Sequence, residues 1–400
     1  MGQPQLKKLS HENNQKSFFR DFTSQNVSSG LISFTLIMTG PALIILQAAA
    51  AGQFSNQQTI NWIFSVYFFG GLFGIILPFL FKIPITGGHS ISGVAFLATV
   101  TAQFTYSQLI GGYLMSGLLI LLIGLSGLFT KMIKWVPKEI ISAMLAGLVT
   151  NYVVQLVQGV EALPLVGGAA LFSFFISTRI SKKIPAVMIA VVVAFIFLFL
   201  TQEINLASKG IPWELPSIAM PEFTWMGLVT LAIPLALLIL SNDVATGIGA
   251  LESADFEPPI RKIVSLSGVF SVIASIFGGQ CSNIAGMMTA ICSNSDAGKK
   301  SKRYIASMVS GILTVLFGIF AWKIVPFIQA LPQAFVAMLA GFSLIGVLLS
   351  SLQMGFSNNK YRLSSLFAFL IPLSQISFLH ISAPVWGLIV GAIIAKTVEK

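Results

Sequence analysis

One carboxylate, one imidazole and a few amides and hydroxyls stand in stretches of this sequence that are otherwise almost wholly apolar. Asp243, in Leu240-Ser241-Asn242-Asp243-Val244-Ala245, follows a long run without a charged residue. His89 lies in Ile83-Pro84-Ile85-Thr86-Gly87-Gly88-His89-Ser90-Ile91-Ser92-Gly93-Val94, between apolar segments, whereas His11 and His380 flank such segments. Gln280-Cys281-Ser282-Asn283 follows Gly278-Gly279, and Gln47 sits within Ile44-Ile45-Leu46-Gln47-Ala48-Ala49. An ionisable group in apolar surroundings is costly to keep and defaults to a functional role. The charged form of Asp243 is the expensive one there, so this carboxyl could take up and release a proton. The imidazole of His89 is the second group able to do so. Each has a plainer alternative. Asp243 could be a structural carboxylate, His89 a satisfied polar group, and Gln47 a brace between two helices.

The elements that position these residues follow from composition. The 400 residues are 55% hydrophobic and 9% charged, with 23 Lys+Arg, 13 Asp+Glu and a net charge of +10. Mean hydropathy is +0.88. Soluble chains carry roughly 25% charged residues, so lipid must be the solvent for most of this exterior. Cys281 and Cys292, both in apolar sequence, exclude a disulfide framework. The polar start, MGQPQLKKLS, is not a cleavable signal peptide.

A bilayer core takes about 20 apolar residues per helix. Runs of that kind fall at 27–51, 59–81, 84–103, 108–130, 136–158, 162–178 and 184–201. After a polar loop, more follow at 226–250, 262–278, 280–295, 303–322, 326–352, 363–379 and 383–398, making fourteen. With the N-terminus in the cytoplasm, alternation places every Lys and Arg except Lys209 and Lys323 on the cytoplasmic side. That is the charge bias expected of a correct topology, with both termini inside. The +10 is therefore a membrane-side girdle and not a nucleic-acid surface.

The chain also repeats itself. AMLAG occurs at 143–147 and again at 337–341, each time after a proline that opens its helix, Pro137 or Pro332. At nearly the same offset, the Gly-Gly segment at 87–93 resembles that at 278–286. The pattern predicts an all-α polytopic protein of two inverted seven-helix repeats, with the third span of each broken. Pro84, the β-branched residues and the glycines favour short extended chain there. Ser90 or Ser92 would cap one half-helix, and Ser282 or Asn283 the other. Extended backbone at membrane depth must be buried or line a cavity. Two half-helix N-termini converging near the midplane would suit an anion or a carbonyl-rich ligand. The alternative is that the glycines only permit close helix packing.

No aspartate-rich diphosphate motif, HExxH, GxSxG or P-loop is present, so enzymatic chemistry and ATP-driven pumping are not expected. No metal or cofactor is expected either. Energy would come from an ion gradient or from the substrate's own.

The segments Ile45 to Gly52, Pro84 to Ala98 and Asn283 to Cys292 resemble the benzoate/proton symporter (BenE) family, over about residues 27–398. The resemblance implies the fold of uracil transporters, sulfate permeases and anion exchangers. There, spans 1–4 and 8–11 form a mobile core domain, and spans 5–7 and 12–14 a gate that often dimerises. In this chain the core would be 27–131 and 226–323. The gate would be 132–201 and 324–400, with a 1–26 tail and a 202–225 external loop. The implied ligand site lies between the third and tenth spans, beside the first and eighth. It would draw on Gln47, Gly88, His89, Ser90, Ser92, Asn242, Gln280, Cys281, Ser282 and Asn283. Asp243 and His89 would handle the proton. His89, Ser92 and the acidic Asn242-Asp243 pair depart from the family's usual pattern. The expectation is a plasma-membrane, proton-coupled carrier of a small organic anion, benzoate-like and dimeric through the gate. The alternatives are a nucleobase:proton symporter on the same fold and an uncoupled anion exchanger or channel.

Overall fold

The computed structural model describes residues 21–39, 41–129, 137–180, 185–201, 216–376, 378 and 383–399. The first 20 residues, His11, His380, residues 202–215 of the external loop, and Lys131, Lys134, Lys182, Lys183 and Lys209 lie outside them. The elements in chain order are α1 (Ser24–Thr39), α2 (Pro41–Ala51), α3 (Asn56–Phe81), β1 (Gly87–Gly88), α4 (Ile91–Val100), α5 (Tyr106–Ser126), α6 (Lys138–Ala162), α7 (Pro164–Ile180) and α8 (Ala186–Thr201). There follow α9 (Gly227–Ser253), α10 (Ile260–Ile276), β2 (Asn283–Ile284), α11 (Gly286–Ser293), α12 (Tyr304–Ile319), α13 (Ala321–Gln329), α14 (Gln333–Gly355), α15 (Arg362–Ser374) and α16 (Ala383–Thr397). Among the described residues seven helical stretches are long and apolar enough to cross a bilayer. The outward faces confirm the solvent: Leu122 is 63% exposed, Phe172 69% and Leu200 76%. This is a mostly helical membrane protein.

Local chemistry explains where the helices begin and end. Pro41 starts α2, as proline does at a first helical position, and interrupts the first span. Capping boxes open α3 and α5. Ser55 Oγ accepts from Gln58 N at 3.2 Å while Gln58 Oε1 accepts from Ser55 N at 2.8 Å, and Thr105 with Gln108 repeats the motif. Gly127, at φ +71°, ends α5 short of the expected boundary at 130. The run expected at 326–352 is instead two helices, because Pro332 cannot continue α13 and caps α14. Pro372 and the left-handed Gln375 likewise end α15 before residue 379.

The main helix pairs are α6 with α14, α5 with α10 and α3 with α12. Small residues let them approach. A Cβ on Gly124 would stand 2.4 Å from Ser265 N, and one on Gly268 2.4 Å from Leu121 N. Between these pairs lie the two broken segments. β1 pairs antiparallel with β2, Gly87 opposite Ile284 and Gly88 opposite Asn283. Ala285 N donates to Thr86 O at 2.8 Å and Thr86 N to Thr289 Oγ1 at 3.2 Å, so the extended backbone is satisfied without water.

At the chain's far end, Glu399 closes the N-terminus of α15. Its carboxylate accepts from Leu363 N at 2.6 Å, from Ser364 N at 3.1 Å and from the Ser364 hydroxyl. These are orphan first-turn donors beside a positive dipole end. Desolvation pushes the carboxyl upward, but the Ser364 hydroxyl and the two amides outweigh it, leaving it below its ordinary range. A group depressed in this way stabilises the fold above its unfolded value, and the contribution disappears as pH falls through the lowered one. Hydrogen-exchange protection of Leu363 and Ser364 should therefore be present at neutral pH and fade on acidification. In Glu399→Gln that pH dependence should vanish; an unaltered profile would remove the carboxylate from the cap.

Candidate functional site

The site begins with an irregularity in α9. Residues 227–232 and 239–244 wind as π turns on either side of an ordinary segment containing Pro234. Such turns are rare and concentrate at functional positions. The second π turn carries Ser241, Asn242 and Asp243. Asn242 Nδ2 and Asp243 Oδ2 are buried and have no hydrogen-bond partner.

Opposite them, the first broken segment turns from strand into helix. Ser90 caps α4, its Oγ accepting from Gly93 N at 2.9 Å, and it also bonds Ser92 Oγ at 3.0 Å. Both hydroxyls lie beside the Asp243 carboxyl. Losing a serine cap costs about 1 kcal/mol, so Ser90→Ala should unfold at lower temperature in detergent by that order. Ser92→Ala, which removes no cap, should lose less; the reverse order would contradict the capping assignment.

His89 is 4% exposed and both of its ring nitrogens lack a partner. Its ring packs edge-on against Tyr67 at 5.0 Å, and Tyr67 is itself held by a 3.0 Å bond from its hydroxyl to Ile37 O. Gly88, His89, Ser92, Asn242 and Asp243 together line a cavity of about 130 Å³. Thr246, Gly286, Met287 and Met288 complete its near wall, and Leu145, Val347, Ser350 and Ser351 of α6 and α14 its far wall.

The second broken segment contributes less side chain than expected. Gln280 Oε1 accepts from Trp62 Nε1 at 2.5 Å, and Cys281 Sγ accepts from Ser90 N at 3.2 Å. Ser282 exchanges backbone bonds with Ser271 Oγ, and Asn283 Nδ2 donates to Ile284 O at 3.2 Å. All four are buried, and none lines the cavity. They brace the strand pair from behind. Nor does Ser282 or Asn283 cap α11. The cap position is Ala285, without a side-chain bond, because residues 283–284 are held extended by β1 and the helix starts only afterwards.

Gln47 stands apart. It lines a larger cavity, about 580 Å³, with Gln103, Asn151, Gln155, Gln329, Gln333 and Gln375. Its Oε1 is unpartnered. The two cavities lie in order along the same helices. On α4 the smaller meets Ile91 and Ser92 and the larger Ala98 and Thr99; on α6 the smaller meets Leu145 and the larger Asn151 and Tyr152. At 1.5 Å per residue the closed stretch between them is about 10 Å thick. Sequence reasoning passed over Tyr67, Trp62 and the α14 serines, whose types are common in membrane helices.

A family model described as benzoate membrane transport protein matches residues 20–397. The benzoate membrane transport protein of Acinetobacter baylyi is 28% identical over 377 residues, 94% of this chain and 95% of that one. Inner membrane protein YdcO of Escherichia coli is 26% identical over 366 residues, 91% and 93% of the two chains. Among solved structures, the transmembrane domain of the cyanobacterial bicarbonate transporter BicA superposes with a TM-score of 0.59 at 18% identity. The match covers 93% of this chain and 96% of that domain, a likeness of fold.

Proposed function

The chain belongs to the benzoate membrane transport protein family, a family of transporters and not of enzymes, and on that premise we propose that it carries a small aromatic carboxylate together with a proton. The carrying observation is the unpartnered Asp243 carboxyl oxygen facing the cavity that the broken segments enclose. Two carboxylates about 4 Å apart, at an effective dielectric near 20, repel by about 4 kcal/mol, roughly a thousandfold in affinity. A bound organic anion and an ionised Asp243 are therefore incompatible, whereas anion and proton can enter together. No metal or cofactor is part of this reading.

The proposed architecture is fourteen spans in two inverted repeats. The helix pairs support it: exchanging the repeats turns the α5–α10 pair into α12–α3, and returns α6–α14 and β1–β2 to themselves. The core domain would be 27–131 with 226–323 and the gate 132–201 with 324–400, the gate forming a homodimer. The termini would be cytoplasmic and the membrane the inner one, as the name of the Escherichia coli relative says of that protein. In this orientation the larger, amide-lined cavity opens outward and the smaller inward. An elevator-like shift of the core against α6 and α14 would then move the site across the closed stretch.

Uptake of radiolabelled benzoate into proteoliposomes under an imposed pH gradient tests the reading. Protonated aromatic acids cross lipid unaided, so protein-free liposomes set the baseline. Accumulation above that baseline, collapsing with the gradient, is the expected result. Equal exchange without dependence on the gradient would favour an uncoupled exchanger and reject symport.

A further inference from the structure

The polar groups left bare around the smaller cavity differ in kind. Asn242 Nδ2 offers donors, Asp243 an acceptor when ionised and a donor in the proton-loaded state, and both nitrogens of His89 are unmet. An imidazolium buried without any partner would be an unpaired charge, so the ring is neutral, with one donor and one acceptor nitrogen. A plain carboxylate brings acceptors only. It can take hydrogen bonds from Asn242, from the protonated Asp243 and from the His89 N–H, which commits those donors to the carboxylate and leaves the second imidazole nitrogen desolvated and bare. Filling that position requires a donor on the ligand. Size excludes a second ring: a cavity of roughly 150 Å³ holds one benzene, and this one is about 130 Å³, so it must widen to seat even one substituted ring. Met287, Met288, Leu145 and Val347 supply apolar lining suited to a ring face.

Resting on the transporter reading above, we infer that the preferred cargo is a single-ring aromatic acid carrying a ring hydroxyl, whose O–H donates to His89 while Asn242 holds the carboxylate. His89 is then a specificity-determining residue. An unmet buried acceptor costs about tenfold in affinity, which sets the expected preference over benzoate.

The test is a thermal-shift titration of purified wild type and His89→Phe with benzoate, its three monohydroxy isomers and uracil. In wild type at least one hydroxybenzoate should bind about ten times more tightly than benzoate. In His89→Phe that ratio should fall to near one, with both ligands weakened by loss of the His89 N–H, and a single symmetric size-exclusion peak with a cooperative melt shows that the variant folds. If His89→Phe does not fold, His89→Gln, which keeps an acceptor, should preserve the preference. Benzoate binding wild type as tightly as every hydroxy isomer would overturn the inference and leave the transporter reading standing. So would a preference unchanged in His89→Phe. Stabilisation by uracil and by no aromatic acid would overturn both.

Discussion

Asp243→Asn should lose uphill accumulation altogether while still binding and exchanging its cargo. One pH unit is worth 1.36 kcal/mol, so one proton per anion concentrates the cargo about tenfold across a one-unit gradient. The variant should bring that ratio to about one. Asparagine is nearly isosteric and permanently neutral, so it reproduces the shape and charge of the protonated aspartate but cannot release a proton. Of the other polar residues in the wall, Ser92 and Asn242 do not titrate, and His89 is the one further titratable group among the described lining residues. Counterflow between compartments of equal pH separates loss of coupling from loss of binding. A variant that still concentrates its cargo tenfold would take Asp243 out of the coupling step and leave His89 as the remaining titratable group of the cavity.

Gly87→Ala should deplete folded protein by at least about 3 kcal/mol of stability, the upper range for overpacking. A Cβ there would lie 2.1 Å from Gly70 O, 2.4 Å from Gly74 N and 3.0 Å from Gly74 Cα. These are backbone atoms of α3, and no rotamer relieves them. β1 would have to leave α3, and with it the register that sets Gly88 against Asn283 and brings His89 to the cavity. Gly88→Ala makes the control. Its nearest atom is Ala285 Cβ at 3.2 Å, a contact that a small shift can accommodate. Fluorescence-detected size exclusion of the two variants should separate them clearly. Equal yields would mean that the strand pair is looser than its packing indicates.

Part of the candidate site was legible because charge is so scarce here. With 9% of residues charged, a carboxylate at membrane depth stands out, and Asp243 and His89 do line one cavity. The Gly-Gly breaks were legible because glycine, proline and β-branched residues argue against helix: Gly87-Gly88 is extended and pairs with Asn283-Ile284, which follows the turn at Gly278. The glycines also serve the plainer purpose weighed against them: Gly87 is where α3 comes closest. What stayed hidden was direction. Along extended chain, side chains alternate between faces, and sequence does not say which face meets the ligand; Gln280 to Asn283 turned toward Trp62, Ser90 and Ser271. Gln47 was read into the same site because its helix was right, but it lies further along that helix and meets the other cavity.

The two π turns of α9 bear on how this helix is compared with others. Each holds one residue more than an α-helical turn, and an added residue rotates everything after it by about 100°. A helical wheel drawn through 227–253 therefore assigns the residues beyond Val244 to the wrong faces. Thr246, which meets the cavity, and Gly247, packed on Ile284, keep their places only because of those insertions. A relative whose helix ran as uninterrupted α through this stretch could align Asp243 only across a one-residue gap. Gap-free identity at that column would then pair residues that point in different directions.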